Sequence, residues 1–236
     1  MIEIKNLTKK FNRFTALQNV QLQFNTGNAI ALIGPNGCGK TTLIKCILGL
    51  NVVEEGQIFV KGENINDSYQ YRKSIGYMPQ IGRYPENLSI EQTINMVKDA
   101  RNTKEHNYDY ELLESFELEK LYQKKMRTLS GGTTQKVSAV LAFLFNPDII
   151  ILDEPTAGLD PLAAEILKQK IIKEKNKGKL ILITSHLLSE LDEILTEVVF
   201  MNEGKVLVHQ SAQDLKTQTG KDKISEGIIS ILKTIQ

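Results

Sequence analysis

The sequence predicts an α/β protein built on a mostly parallel sheet. Three continuous aliphatic runs, AIALI (29–33), IIIL (149–152) and LILIT (180–184), are typical of strands that are covered on both faces. The last two runs are separated by a helical pattern over residues 161–176, which opens with a proline just inside its start. Because a strand, a helix and a strand in succession form a crossover unit, these runs indicate parallel strands of one sheet.

Further regions also have the patterns of strands. Residues 1–26 alternate apolar and polar side chains, as half-buried antiparallel strands do. From this alternation we expect an antiparallel β subdomain beside the parallel sheet. SIGYM (74–78) behaves like the three continuous runs and is typical of a strand covered on both faces. Residues 197–209 resume the strand alternation around the turn Asn202-Glu203-Gly204.

Residues 86–145 are helix-rich and charged, and Ser89–Gln92 has the pattern of a capping box. We interpret this stretch as a helical insertion between strands. The tail predicts an amphipathic helix with four isoleucines on one face: Ile224, Ile228, Ile231 and Ile235. The predicted single domain, 1–236, thus comprises a core with its β subdomain (1–81 and 146–210), a helical subdomain (82–145) and a C-terminal helical tail (211–236).

Composition excludes several classes of function. Lys and Arg number 29 and Asp and Glu 28, so a formal charge of +1 gives no electrostatic reason to expect nucleic acid as a partner. Cys38 and Cys46 form no C-x-x-C pair, which argues against a disulfide framework or a zinc site and favours a reducing cytosol. The N-terminus lacks a signal-peptide core, and no run approaches the ~18 apolar residues of a membrane helix. We expect a soluble chain whose membrane role would need a partner.

The segment GPNGCGKT (34–41) matches the phosphate-loop pattern G-x-x-x-x-G-K-[ST] and lies between an apolar strand and a helical run. Its glycines allow backbone N–H groups to turn towards phosphate oxygens, and the helix N-terminus adds its dipole. Lys40 would supply a cation to the β and γ phosphates, and the Thr41 hydroxyl would be a magnesium ligand. The alternative is a glycine-rich turn with an unrelated lysine. The loop indicates a nucleoside triphosphate site and does not by itself exclude GTP.

The segment IIILDEP (149–155) is a buried strand that ends in two adjacent acids. Since ligands of open α/β sheets lie beyond the carboxyl ends of the strands, Asp153 should meet the phosphate loop. Successive side chains of a strand point opposite ways, so one acid can serve magnesium while Glu154 orients water. The alternative is a helix cap with acidic first-turn residues. His186 and Gln80 follow two other strands at the same predicted edge, although each alone would be an ordinary polar residue.

The segment LSGGTTQKVSAVLAFLF (129–145) places two glycines before an apolar helical run. It is either a tight turn that feeds a core helix or a second anion-binding helix start. Apolar residues at helix spacing, namely Val137, Val140, Leu141 and Leu144, indicate that the helix itself is anchored by a buried face.

In this order, the motifs resemble those of the ATPase subunit of ATP-binding cassette (ABC) transporters. The resemblance spans residues 1 to about 210 and rests on GPNGCGKTT, Gln80, LSGGTTQK, IIILDEP, AGLD (157–160) and His186. It implies the P-loop NTPase fold of the ABC ATPases, with ATP and Mg²⁺ as ligands.

The resemblance also implies a role for each matching residue. Phe11 falls where a family aromatic stacks on adenine, although an ordinary core phenylalanine is the alternative. The other ATP-binding positions are Gly34, Pro35, Asn36, Gly37, Cys38, Gly39, Lys40, Thr41, Thr42 and Gln80, and the metal ligands are Thr41, Gln80 and Asp153. Glu154 would be the general base, His186 would contact the γ phosphate, and Lys40 completes the catalytic set.

In this family two cassettes pair head to tail, and the resemblance implies a homodimer with a polytopic membrane permease as partner. Ser130, Gly131 and Gly132 of one chain would close over ATP held by the other, and Asp160 would lie at the same seam. One departure is Thr133, which stands where the family usually has glutamine and reaches less far. Retention of Glu154 and His186 favours a hydrolysing cassette, held at the inner face of the cell membrane through its permease.

Within the family, residues 129–145 together with LLSELDEI (187–194) look most like the ATPase of the transporter that helps to mature nitrous oxide reductase by handling copper or sulfur. The sequence has no Cys/His cluster, so we do not expect this chain to ligate copper itself. The alternative from another class is a soluble ABC ATPase such as one for iron–sulfur assembly.

Overall fold

The computed structural model of the chain describes residues 1–101, 108–185 and 192–235, the last four by their backbone alone. In chain order the strands are β1 (Ile2–Phe11), β2 (Phe14–Phe24), β3 (Ala29–Ile33), β4 (Glu55–Val60), β5 (Glu63–Asn64), β6 (Ile75–Met78), β7 (Ile149–Asp153), β8 (Leu180–Thr184), β9 (Glu197–Asn202) and β10 (Lys205–Ser211). The helices are α1 (Lys40–Ile47), α2 (Ile90–Arg101), α3 (Glu111–Ser115), α4 (Gly131–Phe143), α5 (Pro161–Asn176), α6 (Ala212–Thr219) and α7 (Ile224–Ile235). Short 3₁₀ turns cover Gln70–Ser74, Leu118–Leu121 and Met126–Thr128.

The larger sheet has the spatial order β10-β9-β3-β8-β7-β6. Strands β9, β3, β8, β7 and β6 run parallel to one another. The edge strand β10 pairs with β9 in the antiparallel direction. Every residue of β3, β7 and β8 is buried, as the continuous aliphatic runs predict. The prediction of a mostly parallel α/β sheet is confirmed.

A second sheet, with the order β2-β1-β4-β5, is wholly antiparallel and confirms the predicted β subdomain. This antiparallel sheet and α1 pack on one face of the larger sheet, where they contact side chains such as Ile30, Ile151 and Leu182. Helices α4 and α5 pack on the opposite face, against the alternate residues Ala31, Ile150 and Ile183. The period of two along each strand therefore divides the core into two layers that enclose the sheet.

Between β6 and β7, the described residues form helices and turns, as the interpretation of a helical insertion requires. The capping box is present: the Ser89 amide donates to Gln92 Oε1 at 2.9 Å, and the Gln92 amide donates to Ser89 Oγ at 3.2 Å. Val137, Val140 and Leu144 of the α4 region are fully buried, so the two glycines before them lead into a core helix.

The tail forms α6 and α7. Ile224 and Ile228 are buried and Ile231 packs against the same cluster, which agrees with the predicted apolar face; the Ile235 side chain lies outside the described residues. None of the helices in the described part of the chain combines the length and the apolar character that crossing a bilayer requires.

Candidate functional site

The carboxyl ends of the parallel strands surround a cavity of about 160 Å³. Its lining residues come from the phosphate loop and from the ends of β6 and β7: Asn36, Gly37, Gly39, Lys40, Thr41, Thr42, Gln80, Asp153 and Glu154. Gly34, Pro35 and Cys38 belong to the same loop but are not part of this lining. The structure therefore brings together the phosphate loop, the glutamine and the acidic pair, which the sequence assigns to one edge of the sheet.

Glycine is required at two positions of the loop because other atoms approach the backbone closely. A Cβ on Gly34 would lie 2.1 Å from the Met201 carbonyl oxygen and 2.6 Å from Cys38 Sγ. Gly39 has φ +111° and caps α1, and a Cβ there would lie 2.7 Å from the Ala16 carbonyl oxygen. The loop is thus held against the neighbouring strands while its outer face stays open to the cavity.

Lys40 supplies the positive charge of the site. Its side chain is largely buried, and Nζ donates to the carbonyl oxygens of Gly34 at 2.7 Å and Pro35 at 3.1 Å. The N-terminus of α1 opens at the same loop, and its first turn carries no acidic residue. An ammonium group, backbone N–H groups and the positive end of a helix converge here, which is an arrangement that favours a phosphate chain.

The acidic pair lies at the end of β7. Asp153 is nearly buried, and its Oδ1 accepts a hydrogen bond from the Thr184 hydroxyl at 2.5 Å. Glu154 has φ +53°, a left-handed conformation that is uncommon outside glycine. On the neighbouring strand, burial raises the pKa of Tyr77 to about 12 and the Asp153 charge adds to this, so the phenol stays neutral.

Thr41, Gln80 and Asp153 offer hydroxyl, amide and carboxylate oxygens to the same cavity, and oxygen ligands of this kind suit Mg²⁺. These three side chains therefore fit a magnesium ion. A second group of acids, Asp109, Glu111 and Glu174, also lies close together, but the Lys170 ammonium occupies its centre. That group is therefore an ion-pair network.

The structure does not bring every predicted residue to the cavity. Phe11 lies at the β1–β2 turn with 46% of its surface exposed and the Lys9 ammonium 4.8 Å from its ring. This exposure is inconsistent with the alternative of a core phenylalanine, and Phe11 is absent from the cavity lining. His186 lies outside the described residues.

Ser130, Gly131, Gly132 and Asp160 also lie away from the cavity lining of their own chain. Ser130 caps α4 by accepting from the Thr133 amide at 3.2 Å, and its hydroxyl lies 2.9 Å from Thr133 Oγ1. The residue that departs from the family pattern therefore supports the helix start. Gly132 lies close to the loop before α5, and a Cβ on Gly132 would lie 2.7 Å from the Gly158 carbonyl oxygen.

Two residues of this region were not assigned a role from the sequence. Thr184 is the polar last residue of an otherwise aliphatic strand, and Lys136 pairs with Asp160 at 2.7 Å. The only local signal for Thr184 is its hydroxyl at the carboxyl end of a buried strand. Lys136 lies within LSGGTTQK, but its partner is 24 residues away along the chain.

A parallel sheet with a glycine-rich loop, a buried lysine and an acidic strand end defines a P-loop nucleoside triphosphatase. The chain belongs to the ABC transporter family, which residues 17–157 match. It is 33% identical over 229 residues to the uncharacterized ABC transporter ATP-binding protein YhaQ of Bacillus subtilis, covering 95% of this chain and 76% of the relative. It is 31% identical to the lantibiotic transport ATP-binding protein SrtF of Streptococcus pyogenes, covering 89% of this chain and 90% of that protein.

Solved structures agree. The chain is similar to an ATP-binding subunit of an ABC transporter with a TM-score of 0.91 and 31% identity, covering 98% of this chain and 99% of that chain. It is also similar to the cassette MJ0796, solved as a dimer in a post-hydrolysis state with ADP and phosphate, with a TM-score of 0.80 and 25% identity over 90% of this chain and 99% of that one. Family membership indicates an ATPase whose hydrolysis of ATP is coupled to transport.

Proposed function

We propose that two copies of this chain pair head to tail around two Mg–ATP and drive a membrane permease. The observation that carries the proposal is the division of the predicted ATP site between two places. The phosphate loop and the acids line one cavity, whereas Ser130, Gly131 and Gly132 lie elsewhere on the same chain. A second copy in the opposite orientation would bring the missing half to the cavity.

The chemistry within one cavity follows from its own residues. Lys40 would hold the β and γ phosphates, and the loop amides and the start of α1 would bind their remaining oxygens. Thr41, Gln80 and Asp153 would hold Mg²⁺, which when bound neutralises charge on the phosphates. Glu154 would take a proton from water while the water oxygen bonds to the γ phosphorus and the bond to the β-phosphate oxygen breaks, leaving ADP and phosphate. His186 would contact the γ phosphate, and Phe11, whose side chain is exposed, would stack on adenine.

The half supplied in trans is built to accept an anion. Ser130 and Gly131 are exposed at the N-terminus of α4, a helix of 13 residues. Among the residues that the structure describes, none outside the helix's own backbone lies within 4 Å of a Cβ position on Gly131. Backbone N–H groups of such a helix start would reach the γ phosphate without a side chain in the way. The cassette MJ0796, solved as a dimer with ADP and phosphate, supports the pairing of two copies.

For the partner, we propose a polytopic permease, with this chain on the cytoplasmic side of the membrane and no role for nucleic acid. Closure of the dimer would move the helical subdomain (82–145) against that permease, and hydrolysis with product release would reopen the pair. Differential binding of ATP to the closed state would supply the driving free energy.

For the cargo, we propose the copper or sulfur handling that supports nitrous oxide reductase maturation, on the sequence resemblance of residues 129–145 and 187–194. The two cysteines, Cys38 and Cys46, are both buried, so they give copper no accessible thiol on this subunit. A soluble iron–sulfur assembly ATPase is less favoured because the relatives are described as transport proteins. The test is to isolate this chain from membranes of the cells that produce it and to identify the permease that accompanies it. The identity of that permease tests the proposed partner and the proposed cargo.

The variant Glu154→Gln tests the catalytic assignment, because the amide keeps the shape of the side chain but cannot accept the proton from water. We expect ATP to bind, hydrolysis to become at least ~100-fold slower and an ATP-bound dimer to accumulate in size-exclusion chromatography. Glu117→Gln is a matched control, since Glu117 also has a left-handed backbone, with φ 52°, and its side chain is exposed. Hydrolysis by the Glu154 variant at the parental rate would refute the base assignment, and an ATP-bound monomer would refute the dimer.

A further inference from the structure

The side chain of Thr184 connects the two acids of the site. Thr184 ends β8, is fully buried and pairs in register with Asp153 at the end of β7. Its Oγ1 lies 2.5 Å from Asp153 Oδ1 and 3.0 Å from the Glu154 amide nitrogen. One hydroxyl group therefore contacts both residues of the pair.

The direction of each hydrogen bond follows from the groups involved. An amide N–H can only donate, so the Thr184 oxygen accepts from Glu154. Its own hydrogen is then donated to Oδ1 of the Asp153 carboxylate. The Thr184–Asp153 bond is thus charge-assisted, and it fixes the rotation of the carboxylate about its terminal torsion.

The same contacts hold the unusual backbone of Glu154. The Glu154 amide also donates to the Thr184 carbonyl oxygen at 3.1 Å, and the Glu154 carbonyl oxygen accepts from the Ala157 amide at 3.1 Å. A non-glycine residue keeps a left-handed backbone conformation, as Glu154 does, only where surrounding contacts hold it there. Residues of this kind concentrate at functional sites. Because φ and ψ set where the side chain starts, a change in this turn would redirect the Glu154 carboxylate.

We propose that Thr184 is a positioning residue for ATP hydrolysis, which fixes the carboxylate of Asp153 and the backbone turn that directs Glu154. The inference rests on the proposed function, in which Asp153 holds Mg²⁺ and Glu154 activates water. Thr184 touches neither ATP nor water in this scheme, and it acts through the two acids. A purely structural threonine would satisfy buried polar groups without any effect specific to turnover.

Two pairs of variants separate these roles. Thr184→Val removes the hydroxyl and keeps the branched shape, whereas Thr184→Ser keeps the hydroxyl. If the valine variant does not fold, Thr184→Ala is compared with Thr184→Ser. Both variants lack the methyl group of threonine, so the difference between them measures the effect of the hydroxyl group. The matched control is Thr196→Val, because the Thr196 hydroxyl also bonds to backbone, at the Ala29 nitrogen and oxygen, on the opposite edge of the sheet.

For Thr184→Val we expect kcat to fall ~10- to 100-fold while KM for ATP changes less than ~3-fold, because the lost contact orients the reacting groups and not the phosphate loop. The Mg²⁺ concentration needed for half-maximal protection of the ADP complex against thermal unfolding should also rise, which is a measure independent of turnover. Thr184→Ser should retain kcat within ~3-fold of the parent, and Thr196→Val should change neither kcat nor the Mg²⁺ dependence.

Equal kcat for the serine and alanine variants, or a parental kcat and Mg²⁺ dependence for the valine variant, would overturn the inference. Glu154→Gln measured in parallel distinguishes this failure from failure of the proposed function. An inactive Glu154 variant beside a fully active Thr184→Val variant would reject only the positioning role, whereas an active Glu154 variant would reject the base assignment on which it rests.

Discussion

The Lys136 ammonium lies 2.7 Å from Oδ2 of Asp160, and this ion pair joins two helices that flank the proposed dimer seam. Lys136 belongs to α4, whose N-terminus carries Ser130. Asp160 caps α5 through its other oxygen, which accepts from the Ala163 amide at 2.8 Å. The hydrogen bond from Lys136 and then that from the Ala163 amide lower the pKa of the Asp160 carboxyl, so it is ionised at neutral pH. Within one subunit, the start of α4 and the loop before α5 are therefore fixed relative to each other.

Lys136→Gln should weaken the ATP-dependent dimer without unfolding the chain. The pair is partly exposed to solvent, so we expect the melting temperature to change by less than ~2 °C. Asp160 would lose one of the two contacts that orient it, while the bond from the Ala163 amide remains, and the dimer fraction at a given ATP concentration should fall several-fold. Size-exclusion chromatography in the Glu154→Gln background measures this fraction. Lys61→Gln is the control, since it breaks another exposed ion pair, with Asp148, away from the seam. Equal dimer fractions for the parent and Lys136→Gln would contradict the role of this pair.

Alanine at the two adjacent glycines should give two different defects. A Cβ on Gly132 would lie 2.7 Å from the Gly158 carbonyl oxygen, so Gly132→Ala must displace the loop and should lower the melting temperature by several degrees. A Cβ on Gly131 meets no neighbouring atom within 4 Å in the described part of the chain, so Gly131→Ala should fold like the parent. If the helix start accepts the γ phosphate of a partner, however, Gly131→Ala should reduce ATP-dependent dimerisation. Thermal unfolding and dimer fraction, measured for both variants, check this prediction; parental dimerisation of Gly131→Ala would contradict the trans site.

Much of the fold could be predicted from the sequence because its strongest patterns are local. The continuous run LILIT and the pattern over 161–176 coincide with β8 and α5 to the residue. Strand β4 was missed because its first three residues are exposed and only Ile58 and Val60 are fully buried, which leaves too short an alternation. SIGYM begins one residue too early, since Ser74 completes a 3₁₀ turn.

The cavity could also be predicted, because each of its motifs is a short contiguous segment at a strand end. Thr184 and Lys136 could not be assigned roles in this way. Thr184 acts through its register with Asp153, 31 residues away, and Lys136 acts through a contact between two helices. Such relationships depend on how elements pack, and they leave no spacing rule in a single sequence.

Lys40→Ala should severely weaken nucleotide binding and not merely slow turnover. Lys40 is the buried cation of the cavity, and charge-assisted bonds to phosphate would be lost without replacement. We expect the affinity for ATP to fall by about 100-fold, measured by isothermal titration calorimetry. Lys45→Ala is the control on the same helix, where the side chain is exposed in the last turn. Retention of parental affinity by Lys40→Ala would show that the loop binds its ligand without this ammonium group.

Glu174 should make the chain acid-sensitive through the network that ties α5 to the residues before α3. Burial alone would raise the pKa of Glu174, but hydrogen bonds from Lys177, Lys179 and Lys170 outweigh it and lower the pKa to about 2 from an ordinary value of 4.5. A lowered carboxyl pKa stabilises the folded state above pH 4.5, and this contribution of about 3 kcal/mol is lost as the pH falls from 4.5 towards 2.

Glu174→Gln tests this directly. The glutamine would leave the buried Lys170 with less compensating charge, so we expect a loss of about 3 kcal/mol at pH 7 and a melting temperature lower by about 10 °C. The dependence of stability on pH should flatten below pH 4.5, because the titrating group is gone. Urea unfolding between pH 7 and pH 3 measures both effects. Glu165→Gln, an exposed change on the same helix, should leave stability and its pH dependence unaltered. If the two variants have the same pH dependence, Glu174 does not carry the acid sensitivity.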